Sequence, residues 1–130
     1  MSFNFYENSE EYSNTISEIL ITLGVFPKYA GFNYLKSGIL YAIYYPEAVN
    51  NLSKEFYPKV ASICNTSVGK LQSAIRNVLE VIYDRGYVKK INGIFGFKVV
   101  GDNDKLTSSE FIGLLSNEYL IRRFISRKQN

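Results

Sequence analysis

Apolar residues recur three and four positions apart along most of the chain, the spacing that gives a helix one buried stripe. Ser13 or Asn14 can cap a first helix carrying Ile16, Ile19, Leu20 and Leu23, with Gly24 as its stop. A second helix, about Phe32 to Tyr44, repeats the signal through Tyr34, Leu35, Ile39, Ala42 and Ile43 and ends near Pro46. Pro46 suits the first turn of a third helix, "PEAVNNLSKEF", where a missing N–H costs nothing. Pro58 repeats the device for the short helix "PKVASIC". The stretch "NTSVGKLQSAIRNVLEVIYDRG" then supplies a turn and a long helix, capped by Thr66 or Ser67 and ended by Gly86. A short helix, a tight turn and a long helix in succession outline a helix-turn-helix.

Placing successive residues of the long helix 100° apart puts Val68, Leu71, Ile75, Val78, Leu79 and Ile82 on one arc. Gly69, Lys70, Ser73, Arg76, Asn77 and Glu80 fall on the opposite arc, with Gln72 at its margin. The segment "YVKKINGIFGFKVVGDND" fits either a short helix to Phe95 followed by extended chain or a β-hairpin turning at Asn92-Gly93. "TSSE", Thr107 to Glu110, has capping-box spacing and opens a final helix through Phe111, Ile112, Leu114, Leu115, Leu120 and Ile121, whose basic end "RRFISRKQN" is expected to fray. No repeat, low-complexity tract or linker interrupts the pattern, so the expected fold is one all-α domain.

Charge sharpens this picture. The net charge of +3 on 130 residues is modest, but residues 1–20 hold four acids and no base, whereas residues 57–100 hold seven bases and two acids. The basic excess therefore surrounds the helix-turn-helix. The N-terminus has no basic region of a secretory signal, and the apolar windows are too short and interrupted to span a bilayer. A single cysteine, Cys64, rules out an internal disulfide, and a reducing cytoplasm is the expected compartment. With no histidine, the chain lacks the parts for His-based triads or His-ligated metals, and no cofactor, small-molecule substrate or enzyme activity is expected.

An α-helix fits the major groove of B-DNA, its N-terminal residues reaching base edges while lysines and arginines meet phosphates. On the polar arc, Gly69 allows close approach, Lys70 and Arg76 suit phosphate or guanine, Gln72 suits adenine, and Ser73 and Asn77 are adaptable. The same residues would also serve simply to keep an outer helix face wet. Lys89, Lys90, Lys98, Lys105, Arg122 and Arg123 fit either a track along a phosphate backbone or a solvated face. Cys64 reads as a small core residue, "GDND" as a polar turn lacking the later glutamate of a calcium loop, and Glu7, Glu10 and Glu11 as an exposed end. The aromatic run "YAIYYP", Tyr41 to Pro46, fits the core at helical spacing, with an exposed interaction surface as the other reading.

The runs "LGVFPKYAGFNYLKSGI", "FYPKVASICNTSVGKLQSAIRNVLEVIYDRG", "IFGF" and "TSSEFIGLL", in this order between about Ile16 and Arg123, resemble the C-terminal effector domain of the sporulation stage-zero response regulator of endospore-forming bacteria. The resemblance implies a six-helix DNA-binding domain with Pro58–Cys64 as positioning helix and Ser67–Asp84 as recognition helix, and it favours a short helix near Val88–Phe95. The expected division of the chain is a mobile acidic segment (1–14), an effector-like domain (15–124) and a basic tail (125–130). In that family an acid and an arginine just before "AIR" read base edges; here the two positions hold Gln72 and Ser73. Arg76 matches the family's arginine, and Lys105 matches a basic residue in the loop before the last helix. Family members also carry a receiver domain ahead of the effector portion, where this sequence has about twenty residues.

The expected function is therefore a stand-alone, receiver-less transcription regulator that binds double-stranded DNA as a dimer or tandem pair, at a site other than the family's usual operator. The alternative is a protein-interaction module that antagonises or assists a full-length regulator or RNA polymerase.

Overall fold

The computed structural model describes residues 5–128, and among these the chain is helical without strands. Seven α-helices are present where six were expected: α1 (Phe5–Thr22), α2 (Ala30–Tyr44), α3 (Tyr57–Ile63), α4 (Val68–Asp84), α5 (Lys90–Phe95), α6 (Ser108–Leu115) and α7 (Glu118–Lys128). The additional helix comes from a break in the final segment. α6 ends at Ser116, and the Asn117 side chain accepts a hydrogen bond from the Leu120 N–H (3.1 Å), capping a new helix.

α1 starts well before the expected cap at Ser13 or Asn14. Tyr12 accounts for this: its ring is buried and its hydroxyl donates to Glu118 of α7 (3.1 Å), so the chain upstream of Ser13 is committed to the helix. Of the acids read as an exposed lead, Glu10 and Glu11 are exposed on this helix, and Glu7 lies outside the described side chains. Gly24 closes α1 as expected, in the left-handed region at φ 87°, with the Val25 N–H returning to the Leu20 carbonyl.

"PEAVNNLSKEF" forms two tight turns rather than one α-helix. A 3-10 turn (Pro46–Asn50) and a π turn (Leu52–Phe56) meet at Asn51, whose extended backbone breaks the helix and whose side chain accepts from the Lys54 N–H. Phe56 is fully buried, with its ring against Gly38 of α2 and edge-on to Tyr41 and Tyr57.

The ambiguous segment resolves as helix. A 3-10 turn at Tyr87–Lys89 leads into α5, and Asn92 lies inside that helix instead of at a hairpin turn. Its side chain accepts from the Val99 and Val100 N–H groups and donates to the Val100 carbonyl, fixing the extended chain that follows. At the basic C-terminal end α7 extends to Lys128, which pairs with Glu18 of α1.

One core joins the elements: Ile16 and Leu20 of α1, Leu23 in the turn after it, Leu35 and Ile39 of α2, Val60 of α3, Leu71, Ile75 and Ile82 of α4, and Phe95, Phe111 and Ile121 from the later helices are all buried. α2 lies directly on α4. A Cβ on Gly31 would stand 2.3 Å from Val78 Cγ2 and 3.0 Å from the Ala74 carbonyl oxygen, so the glycine lets the two helices approach. This contact holds the buried side of α4 and turns its other side outward. Among the described residues no helix is long and apolar enough to cross a membrane.

Candidate nucleic-acid interface

The helix-turn-helix is built on an unusual corner. α3 ends at Ile63 with Cys64 as its C-cap, and Asn65 takes the left-handed conformation at φ 54° that glycine more often fills. The Thr66 N–H bonds the Ala61 carbonyl (2.9 Å) and the Asn65 N–H bonds the Ser62 carbonyl (3.2 Å), closing the helix end. Tyr34 of α2 donates to the Thr66 hydroxyl (3.2 Å) and anchors the corner to the body. Cys64 is half-buried against the core, in keeping with a packing role. Ser67 then caps α4, its hydroxyl accepting from the Lys70 N–H (3.2 Å).

α4 buries Leu71, Ile75, Val78, Leu79 and Ile82, as the periodicity predicts. Gly69, Lys70, Gln72, Ser73, Arg76 and Asn77 are all exposed on the outward side. Val68 departs from its expected place: assigned to the buried arc, it is 39% exposed, because the first turn of α4 projects past the core. The two salt bridges among the described residues, Arg122–Glu118 and Lys128–Glu18, leave Lys70 and Arg76 out.

Lys105 is exposed in the loop before α6 and sits 5.9 Å from the centre of the Tyr83 ring. Tyr83 belongs to the last turns of α4, and its hydroxyl donates to the Leu106 carbonyl. Burial, with the Glu110 carboxylate adding to it, pushes the Tyr83 hydroxyl up to about 12, so it stays protonated as a donor. At 100° per residue Tyr83 lies on nearly the same stripe as Gln72 and Arg76, so this tether brings Lys105 to the outward side of α4. Sequence spacing gave no sign of the tether. Tyr57 of α3 is likewise buried, which raises its pKa, while the Ser108 hydroxyl and the Arg76 charge oppose the rise. Arg76 thus stands where α3, α4 and the start of α6 converge.

Of the other basic residues read as backbone-tracking candidates, Arg122 and Arg123 are used inside the molecule, as is Arg127, which was not among them. Arg122 bonds Glu118, and Arg123 donates to the Phe95 carbonyl (3.0 Å) and stacks on Phe97. Arg127 donates to the Ile94 carbonyl (3.0 Å). The last two guanidinium groups satisfy carbonyls at the C-terminal end of α5, where positive charge is favoured. Lys90 lies over the Tyr87 ring, whereas Lys89 and Lys98 are exposed. Among the described residues no group of three histidine, cysteine, aspartate or glutamate side chains could hold a metal ion.

The arrangement offers a polar helix face with two cations, amide and hydroxyl groups between them, and a third cation held at its far end. Against known protein families, the profile described as "Sporulation initiation factor Spo0A C terminal" matches residues 16–119.

Proposed function

The chain belongs to the Spo0A C-terminal family, a family of DNA-binding domains of sporulation transcription regulators rather than of enzymes. From that premise we propose that this chain is a sequence-specific regulator that lays α4 in the major groove. Gln72, Ser73 and Arg76 read or flank base edges, Gly69, Lys70 and Asn77 lie beside them, and Lys105 meets a phosphate. The observation that carries the reading is the outward side of α4: from Gly69 to Asn77 every polar side chain is exposed and none is acidic.

The operator differs from the family's usual one. Ser73 stands where the resemblance places a base-reading arginine, and losing an arginine on guanine removes about 1–3 kcal/mol of discrimination. Gln72 favours adenine at its position. Selection from random duplexes should return such a site; recovery of the family's usual guanine- and cytosine-containing core as best ligand would rule it out. The domains bind as a dimer or tandem pair on DNA, a stoichiometry to be read from the same complexes.

The general reading is tested by fluorescence anisotropy of the purified chain on a pool of random duplexes across salt concentration. Binding should weaken as salt rises and weaken further in Arg76→Ala. A second reading, a module that pairs with a full-length regulator or polymerase, draws on the exposed Phe26, Tyr29 and Val81 around an apolar groove between residues 24–31 and α4. No DNA binding at low salt, with retained binding to a full-length family member, would select it.

A further inference from the structure

Two β-branched apolar side chains stand in solvent at the leading end of α4. Ile63, the last residue of α3, is 60% exposed, and Val68, the first residue of α4, is 39% exposed. The surface between them is polar: Ser62, Asn65, Thr66, Ser67 and Lys70 line an open cleft of about 430 Å³. Nothing in the core needs either side chain where it is. Both lie at the part of a helix-turn-helix that comes nearest to base edges, the first turn of the second helix and the corner before it.

The major groove presents one apolar group, the C5-methyl of thymine. Val68 and Gln72 are one helical turn apart and so are neighbours along one edge of α4. An adenine bonded by Gln72 faces a thymine whose methyl projects into the same groove. Valine also holds a single χ1 rotamer in a helix, so its methyl groups are placed with little further loss of freedom.

We propose that Val68 and Ile63 read thymine methyl groups beside the position read by Gln72, making this chain selective for runs of A·T pairs. The inference rests on the major-groove reading above and adds two specificity residues to it. Charge contributes nothing to this recognition, so it discriminates between sites that attract the protein equally through their phosphates.

The experiment replaces thymines with deoxyuridines, one position at a time, in the duplex that selection returns. The change removes only the methyl group and leaves every hydrogen-bonding edge intact. Wild-type affinity is expected to fall about fourfold at each contacted thymine, the value of one methyl-sized apolar group. In Val68→Ala and Ile63→Ala the thymine duplex should bind more weakly and the thymine-to-uracil ratio should approach one. Arg76→Ala should weaken both duplexes and keep the ratio. Both apolar positions are exposed, and helical circular dichroism checks that the variants fold. Equal wild-type binding to the two duplexes, or a ratio that persists in both apolar variants, overturns the proposal while DNA binding itself stands. No DNA binding at all overturns the underlying reading and this one with it.

Discussion

Tyr83 shows how one side chain can serve both the fold and the candidate interface. An ordinary tyrosine ionises near 10, and in the folded chain burial moves Tyr83 to about 12. Its proton is therefore held more tightly by the folded state. The stability it contributes is complete below about pH 10 and is lost as pH rises to about 12. Tyr12, Tyr41, Tyr44 and Tyr57 are raised in the same direction, each mainly by burial. Urea unfolding should show stability falling through this alkaline window, and Tyr83→Phe should flatten the fall while lowering stability at neutral pH. A pH dependence unchanged in that variant would contradict the assignment. Lys105, steadied over the same ring, predicts a different signature: Lys105→Ala should weaken DNA binding by a similar factor on every sequence and reduce the salt slope by about 1. At this scale the sequence was legible where chemistry is local. Ser67 and Thr107 cap their helices as their spacing predicts, and Glu110 completes the capping box. Val68 was misplaced because a helical wheel records angle and is blind to where the core ends along the axis.

Among the elements, the corner between α3 and α4 depends most on a single backbone choice. Asn65 at φ 54° tolerates the left-handed conformation that a residue with an ordinary Cβ resists. Asn65→Ala should destabilise the protein by about 1–2 kcal/mol, whereas Asn65→Gly should be neutral or slightly stabilising. The urea midpoint measures both, and an alanine variant as stable as wild type would refute the account. The periodic helices α2, α4 and α6 could be read directly because each buries one continuous stripe. The turns between residues 46 and 56 could not, since their shape answers to Phe56 seated on Gly38, a contact far away in sequence. The early start of α1 has the same long-range origin, whereas the break before α7 is set locally. Tyr12 meets Glu118 across the molecule, and Asn117 acts as a cap inside what looks like an uninterrupted apolar pattern.

The whole molecule carries a net charge of only +3, and four of its 15 lysines and arginines, Arg122, Arg123, Arg127 and Lys128, are engaged within the fold. DNA affinity should therefore respond only moderately to salt. With Lys70, Arg76 and Lys105 as the cations that the proposed docking brings to the DNA, log K against log salt should slope at about −2.7 for each bound domain. Titrations of single-site and paired-site duplexes measure it, and a slope near −10 for one domain would require a different surface. Sequence alone identified the outward side of α4, because amphipathic periodicity separates its two sides. Lys105 was one of several basic candidates until the family resemblance singled it out, and its connection to that side came only from the structure, through the Tyr83 tether.

That tether has one more consequence. About 16 Å of helix axis separates Gln72 from Tyr83, and the bond to Leu106 fixes Lys105 at the far end of that length. In the proposed complex the protein would act as a ruler as well as a reader. With α4 laid in the major groove as proposed, that length would set a fixed spacing between the base proposed for Gln72 and the phosphate proposed for Lys105. Inserting one base pair into that interval would shift and rotate the second mark relative to the first, and a rigid gauge of this kind has no slack with which to follow it.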